Sequence, residues 1–263
     1  MNHAPSIETV PMLELRGAAA ESSREAGVIT VRDVDWLAAA GDFWVISGLQ
    51  GSGKSDLLMA AGGLTAAAAG ACFFQGHKLP LVEDEQLAER LRLGFVFEGG
   101  QLFSQLTVAE NLALPLRYHH NLSAAEADER VRRMLAVTEL ESWATTTPGG
   151  LTRAWRKRAG LARALMLQPE VLLLDDPLAG LDARHRQWCL NFLSDLARGG
   201  ELSGGRPLTL VATADDVRPW RNVARQFAVL QDQRLVVLGN WEQAEAAGNA
   251  SARGWPTEPP SAA

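Results

Sequence analysis

A nine-residue segment, Ser47–Ser55, has the composition of a loop that binds phosphate groups. It follows the apolar run Phe43–Ile46 and matches the pattern Gly-x-x-x-x-Gly-Lys-Ser, with an additional glycine at Gly51. Glycines let backbone N–H groups crowd around phosphate oxygens, and a helix that begins at the loop directs its positive end toward them. We predict that a nucleotide binds here through Gly48, Leu49, Gln50, Gly51, Ser52, Gly53, Lys54 and Ser55.

Lys54 and Ser55 carry the chemistry of this loop. The Lys54 ammonium would neutralise the β- and γ-phosphates, and the Ser55 hydroxyl would ligate Mg²⁺. The alternative is a glycine-rich turn that ends in Lys-Ser by chance. The strand pattern before the loop, the helical pattern after it and the complete motif favour nucleotide binding.

A second segment, Glu-Val-Leu-Leu-Leu-Asp-Asp, ends a buried strand with Asp175 and Asp176. Asp175 would hold Mg²⁺ through water beside Ser55, because parallel strands place their carboxyl ends at one edge of a sheet. The segment alone is also compatible with an ordinary strand and an Asp-Asp-Pro turn. Together with the phosphate loop, it favours a metal-assisted nucleotide site.

The composition limits the class of protein. Of 263 residues, 25 are Lys or Arg and 31 are Asp or Glu, which gives a formal net charge of −6. We expect no nucleic-acid partner, because such proteins carry a dense basic patch. Two cysteines, Cys72 and Cys189, are too few for a disulfide framework, and the amino terminus shows no signal-peptide pattern. These features favour a cytoplasmic protein.

Short apolar runs bounded by Gly, Pro or acidic residues predict nine strands, several of them with the continuous pattern of a buried parallel sheet. The runs are Met12–Leu15, Val28–Val31, Phe43–Ile46, Ala71–Phe74, Leu93–Phe97, Val171–Leu174, Leu208–Ala212, Phe227–Leu230 and Leu235–Leu238. Between Thr107 and Leu167 the pattern becomes helical, with a capping-box sequence at Ser123–Glu126.

The stretch Leu57–His77 contains no formally charged residue and has about the length that spans a bilayer. Its glycines break the apolar pattern. We predict a helix over Lys54–Ala69, a break at Gly70 and then a strand, rather than a membrane span.

Beyond these motifs, the chain resembles the nucleotide-binding subunit of ABC transporters from about residue 12 to residue 245. The resemblance rests on the phosphate loop and on the strings GACFFQGHKL, GFVFEGGQLFSQLTVAENLALPLRYH and LARALMLQPEVLLLDDPLAGLD. The Gly-x-Leu-Phe and Pro-Leu-Arg-Tyr-His elements are most similar to the lipid-transport (Mce/Mla-type) branch. The resemblance implies an α/β fold: a P-loop NTPase of the ABC type, with a RecA-like core and an inserted helical subdomain.

The resemblance also implies a domain division. We expect the nucleotide-binding domain to cover residues 11–248, with the core at 11–103 and 166–248 and the helical subdomain at 104–165. Residues 249–263 are rich in Pro, Ser and Ala, which predicts a disordered tail.

Cofactors and partners follow from the same resemblance. They are ATP and Mg²⁺, a second nucleotide-binding subunit in a homodimer or heterodimer, a transmembrane permease and, for a lipid transporter, a lipid-binding component. The permease would dock near Glu98–Leu116, and the chain would lie in the cytoplasm, peripheral on the inner face of the cell membrane.

Several positions that carry the family's catalysis depart from its pattern. The signature Leu-Ser-Gly-Gly-Gln aligns with Leu151–Trp155, where both glycines are replaced. The Q-loop glutamine is replaced by Glu98, the candidate for that residue's metal-binding and catalytic roles. Asp176, one methylene shorter, replaces the general-base glutamate, and Ala214 replaces the switch histidine. The family's adenine-stacking aromatic is also missing from residues 13–32.

Two function classes compete after these substitutions. The chain is either a working transport ATPase, slow or fully active, or an ATP-gated binding or regulatory subunit with little turnover. The departures favour the second class, because hydrolysis needs a positioned base and donors for the developing charge. A third hypothesis, a soluble ABC protein without a permease, is disfavoured by the acidic charge and by the Pro-Leu-Arg-Tyr-His element.

Overall fold

The structure, a computed structural model, describes residues 10–80, 86–119 and 122–246; the predicted tail lies outside these ranges. All nine predicted strands are present, and the short β5 adds a tenth. The strands are β1 (Leu13–Glu21), β2 (Ile29–Ala38), β3 (Phe43–Gly48), β4 (Ala69–Phe74), β5 (His77–Lys78), β6 (Leu93–Val96), β7 (Val171–Leu174), β8 (Thr209–Ala214), β9 (Gln226–Gln231) and β10 (Arg234–Gly239).

Six strands form a sheet in the order β10-β9-β3-β8-β7-β6. Its strands run parallel except β10, which pairs antiparallel with β9. Every residue of β3, β7 and β8 is buried, as the continuous apolar runs predict. The carboxyl ends of these three neighbouring strands lie at one edge of the sheet and carry the phosphate loop, Asp175 and Ala214.

A second, antiparallel sheet has the order β2-β1-β4-β5. Helix α1 (Lys54–Ala61) lies between the two sheets and buries Leu57 and Leu58 against residues of both. The prediction that this helix extends to Ala69 is wrong. It ends at Ala61 because Gly62 and Gly63 follow, and Ala69 already belongs to β4.

The remaining helices are α2 (Leu87–Arg90), α3 (Val108–His119), α4 (Ala124–Val137), α5 (Arg153–Leu165), α6 (Ala183–Ala197) and α7 (Trp241–Ala246). The predicted capping box is present at the start of α4: the Glu126 N–H donates to Ser123 Oγ, and the Ser123 N–H donates to Glu126 Oε2. The predicted start of this helix is therefore confirmed.

Helices α3, α4 and α5 all lie between residues 104 and 165 and share a core with the six-stranded sheet. Leu112 and Leu116 of α3 and Val131 of α4 belong to the same buried cluster as Leu172 and Leu174 of β7. The helical segment therefore packs on the six-stranded sheet through one continuous buried core. Within the ranges that the structure describes, no helix has both the length and the apolar character needed to cross a membrane.

Candidate nucleotide site

The phosphate loop connects β3 to α1 and has a conformation that requires glycine. Gly51 and Gly53 have φ angles of 80° and 94°, in the left-handed region. A Cβ atom at Gly53 would lie 2.7 Å from the Val31 side chain, so a larger residue would push the loop away from β2. Leu49 and Gln50 are exposed at the tip. The loop thus has the glycine cradle that a phosphate group needs.

Lys54 folds back over the loop. Its side chain is 9% exposed, and its Nζ donates to the carbonyl oxygens of Gly48 and Leu49 at 2.7 and 2.9 Å. Asp215 Oδ1 lies 2.9 Å from the same nitrogen. The buried ammonium is thereby placed at the loop, as the motif predicts, and Asp215 compensates its charge.

Ser55 and Asp175 meet as predicted. Ser55 Oγ donates to Asp175 Oδ1 at 2.9 Å, and Thr213 Oγ1 donates to the same oxygen at 2.9 Å. Hydroxyl and carboxylate oxygens are the ligands that Mg²⁺ prefers, and Mg²⁺ takes few protein ligands beside phosphates and water. The pair therefore fits the ion, whose binding stays a prediction. Sequence analysis missed Thr213, although it precedes the noted Ala214.

Asp176 is held in an unusual backbone conformation. Its φ angle is 39°, its N–H donates to Thr213 Oγ1 at 2.9 Å, and Lys157 Nζ donates to its carbonyl oxygen at 2.6 Å. Burial, and then the charge of Asp215, raise the pKa of the Asp176 carboxyl to about 6. At neutral pH this carboxylate is mostly ionised and is suited to accept a proton.

Glu98 has a different partner from the one its alignment implies. Its carboxylate accepts a hydrogen bond from Arg153, the first residue of α5. Among the described residues, it does not join the Ser55–Asp175 pair. The Arg153 guanidinium also lies against Gly180, where a Cβ atom would be 3.0 Å from Arg153 Cζ. Arg153 therefore connects the start of α5 to the segments that follow β6 and β7.

Bulky side chains pack around the start of α5, the segment that the sequence analysis aligns with the family's signature. The Trp155 ring packs against Trp143 and, edge to face, against His185, with ring centres 5.5 and 5.1 Å apart. His185 Nδ1 lies 2.9 Å from Asp182 Oδ2. Arg158 stacks over Trp188, with Cζ 3.6 Å from the ring centre. The helix start is therefore a packed aromatic surface rather than an open backbone.

Asn111 is a positioning residue that sequence analysis missed. It is fully buried on α3; its Nδ2 donates to the carbonyl oxygens of Phe103, Leu106 and Thr107, and its Oδ1 accepts from the Phe103 N–H. These bonds fix the segment that joins Glu98 to α3. In the sequence, this role is indicated only by the presence of one Asn on an otherwise apolar helix face.

The segment between β1 and β2 packs on α1 through Asp56. The Ser23 N–H and the Thr30 hydroxyl donate to the two Asp56 carboxylate oxygens at 2.9 and 3.0 Å. No aromatic residue occurs between residues 13 and 32, all of which the structure describes. That this chain lacks the family's adenine-stacking aromatic stays a prediction from the alignment.

A sequence profile of the ABC transporter family matches residues 31–179, more than half of the chain. The chain belongs to this family. Its α/β fold is accordingly that of a P-loop NTPase of the ABC type, and the matched region is the ATP-binding domain. The phosphate loop, Asp175 and Asp176 all lie within the match to the ABC family.

Two curated relatives of this ABC protein illustrate the similarity. The methionine import ATP-binding protein MetN of Protochlamydia amoebophila is 31% identical over 223 residues, which cover 84% of this chain and 63% of the relative. The sulfate/thiosulfate import ATP-binding protein CysA of Caulobacter vibrioides is 33% identical over 213 residues, 80% of this chain and 60% of the relative. The chain therefore matches about three fifths of these relatives' length.

A solved structure supports the ABC fold. The ATP-binding cassette MJ0796, described as dimeric, in a post-hydrolysis state and bound to ADP and Pi, superposes with a TM-score of 0.75 at 27% sequence identity. The superposition covers 85% of this chain and 96% of that cassette.

Proposed function

We propose that this chain is the ATP-binding subunit of a membrane ABC transporter and that it binds ATP-Mg²⁺ at a dimer interface with slow hydrolysis. The observation that carries the proposal is the meeting of Lys54, Ser55 and Asp175 at the start of α1. A cation, a hydroxyl and a carboxylate at this position are the groups that hold a nucleoside triphosphate and its metal ion.

Each residue of the site has a role in this proposal. The backbone from Gly48 to Gly53 would surround the phosphates, Lys54 would neutralise them, and Ser55 and Asp175 would hold Mg²⁺. Asp176 accepts a proton from the attacking water; its pKa of about 6 suits this task. Glu98 is a secondary candidate for contact with the metal ion or water once it leaves Arg153.

Slow hydrolysis follows from three defects in the proposed site. Asp176 draws its carboxylate back by about 1.3–1.5 Å relative to a glutamate, and a misplacement on this scale costs about 10²-fold in rate. Ala214 supplies no imidazole, and it is buried at the end of β8. In the alignment with the family signature, Arg153 and Ala154 replace the glycines that would approach the partner's nucleotide, and the bulky Trp155 replaces the glutamine that follows them. In a homodimer, both composite sites carry all three defects.

The transport role is proposed at a finer level. The Gly-x-Leu-Phe element and the Pro-Leu-Arg-Tyr-His element on α3 support a lipid transporter, with a permease docked near Glu98–Leu116 and a lipid-binding component. The proposed location is the cytoplasmic face of the membrane. Import of a small polar nutrient is the second candidate, because the curated relatives are named for methionine and sulfate import. With the permease in vesicles, ATP-dependent transfer of labelled phospholipid, or uptake of methionine or sulfate, distinguishes the two.

Binding and turnover test the proposal together. ATP-Mg²⁺ should raise the melting temperature of the wild-type chain, and Lys54→Ala should abolish the shift because the loop loses its phosphate-contacting cation. Phosphate release, measured alone and with the permease against Lys54→Ala as blank, should be at least about 10²-fold below that of a complete relative. If ATP-Mg²⁺ does not raise the melting temperature of the folded wild-type chain, the assignment of this ligand is wrong. A turnover near 1 s⁻¹, within the usual range for enzymes, would contradict slow hydrolysis.

A further inference from the structure

The Lys54 ammonium is close to three oxygen atoms of the chain. It donates hydrogen bonds to the carbonyl oxygens of Gly48 and Leu49 at 2.7 and 2.9 Å, and it forms an ion pair with the Oδ1 atom of Asp215 at 2.9 Å. A lysine side chain has three N–H donors. A phosphate group that takes the third donor must therefore compete with Asp215 for the ammonium.

Asp215 is the acceptor that can leave. The two carbonyl groups belong to the loop backbone, whose glycine-dependent conformation holds them in place. The Asp215 side chain is 59% exposed and follows the end of β8, so that it can turn into solvent. Its neighbour Asp216 is engaged elsewhere, in an ion pair with Arg218 at 2.7 Å.

Because of the charges around Lys54, the displacement of Asp215 depends on whether the nucleotide is a triphosphate or a diphosphate. Lys54 and Asp215 form an ion pair, and the Asp176 carboxylate lies close enough to interact with both of their charges. A γ-phosphate adds negative charge beside these two carboxylates, whereas a nucleoside diphosphate ends one phosphate earlier. Repulsion from Asp215 therefore acts more strongly on a triphosphate than on a diphosphate.

We propose that Asp215 is an internal competitor of the γ-phosphate for Lys54 and that it sets the preference of the site between nucleoside triphosphate and diphosphate. This inference rests on the proposed function, since it concerns the same nucleotide site. In the nucleotide-free chain the carboxylate stabilises a buried ammonium; in the triphosphate complex it must move away. A ligand gains affinity when a competing state of its site is removed.

The test compares Asp215→Asn and Asp215→Ala with Asp216→Asn, a matched loss of the adjacent carboxylate. Calorimetric titration of the full chain with ATP-Mg²⁺ and with ADP-Mg²⁺ gives the two dissociation constants. Both Asp215 variants should bind ATP roughly tenfold more tightly and ADP less than threefold more tightly, in line with the loss of a partly exposed ion pair. Asp216→Asn should leave both constants unchanged.

A second measurement uses the nucleotide-free chain. Without nucleotide, Asp215→Ala should lower the melting temperature, because the buried Lys54 ammonium loses its counter-charge. With saturating ATP-Mg²⁺, its melting temperature should equal or exceed that of wild type. The loss or reversal of the difference in melting temperature is not expected from a substitution that merely weakens the fold.

The outcomes separate this inference from the proposed function. Wild-type binding of ATP with constants that stay within twofold in the Asp215 variants overturns the inference and leaves the proposed function standing. An equal gain for ATP and ADP overturns the assigned preference. Failure of all variants to bind either nucleotide, with folding intact, overturns the proposed function and the inference together.

Discussion

At the residue scale, the site is controlled by carboxylates whose environments differ. Asp175 accepts two hydroxyl donors, from Ser55 and Thr213. Asp176, the next residue, is partly buried near the charges of Asp215 and Glu98, and its pKa is raised to about 6. Two adjacent residues of the same type thus have different surroundings: Asp175 binds two hydroxyl groups, whereas burial raises the pKa of the Asp176 carboxyl.

The raised pKa of Asp176 predicts a pH-dependent stability difference. Between about pH 4 and pH 6 the folded chain binds a proton at Asp176 that the unfolded chain has released, so this group lowers stability as the pH rises through that window. Asp176→Asn removes the effect. At pH 7 it should increase the free energy of unfolding by roughly 1–2 kcal/mol, reduced from the full value because water still screens the side chain.

Urea denaturation of both proteins from pH 4 to pH 8 measures this difference, which should shrink toward zero near pH 4. Asn tolerates the left-handed φ angle of this position as Asp does, so the backbone is preserved. Asp216→Asn is the control of opposite sign: Arg218 holds the pKa of the Asp216 carboxyl below its usual range. A pH-independent difference for Asp176→Asn would contradict the prediction.

Among the helices, the starts of α3 and α4 are specified by neighbouring residues, whereas the start of α5 depends on tertiary contacts. Helix α4 begins at the Ser123 capping box, and the Thr107–Glu110 pair makes the same reciprocal bonds at the start of α3. The start of α5 has no side-chain cap. It is instead held by Arg153, which binds Glu98, and by the packing of Trp155.

The Ser123 cap predicts a stability change without a change in nucleotide binding. Ser123→Ala removes the acceptor for the Glu126 N–H and should lower the free energy of unfolding by about 1 kcal/mol. Ser123→Thr keeps a capping hydroxyl and should be close to wild type. Denaturant titration measures the free energy of unfolding. Titration of the folded proteins with ATP should give the same dissociation constant for wild type and for both variants. Equal stability of the Ala and Thr variants would show that the cap contributes nothing.

At the scale of the whole molecule, the sheet edge, α5 and the β8 end act as one unit. Lys157 of α5 reaches the Asp176 carbonyl group, while Arg153 of the same helix lies against Gly180. The helical segment shares its buried core with the sheet. The division into a core at 11–103 and 166–248 and a subdomain at 104–165 stays a prediction, and the two parts are closely coupled.

This coupling predicts how hydrolysis responds to restored residues. Asp176→Glu alone should recover little turnover, because catalytic groups act as a unit. Asp176→Glu with Ala214→His should recover more, limited by the rebuilt start of α5. Phosphate release measures this, with the same substitutions in the Lys54→Ala background as controls.

Melting temperatures must accompany these assays, because Ala214 is buried and Asp176 has a φ angle that a glutamate tolerates less well. Full recovery by Asp176→Glu alone would show that only the base is defective.

Features that depend on neighbouring residues are predictable from the amino-acid sequence. The phosphate loop was predictable because its glycines, Lys54 and Ser55 stand in one short motif between a strand and a helix. The strands and the Ser123 cap were predictable for the same reason, since apolar period and capping chemistry act over a few residues. The predicted helix α1 is longer than the observed one because the alanine-rich run after Gly62-Gly63 is compatible with a helix. The two glycines are the only local signal for the observed end at Ala61.

Contacts between residues that are distant in the sequence depend on the complete fold. Ser55 and Asp175, 120 positions apart, were paired by analogy, but the Thr213 bond, the Lys54–Asp215 pair and the Arg153–Glu98 pair were not foreseen. These contacts depend on strand order and on the packing of α5 against the sheet. Strand order arises from the burial of apolar faces across the whole chain, so no local pattern contains it.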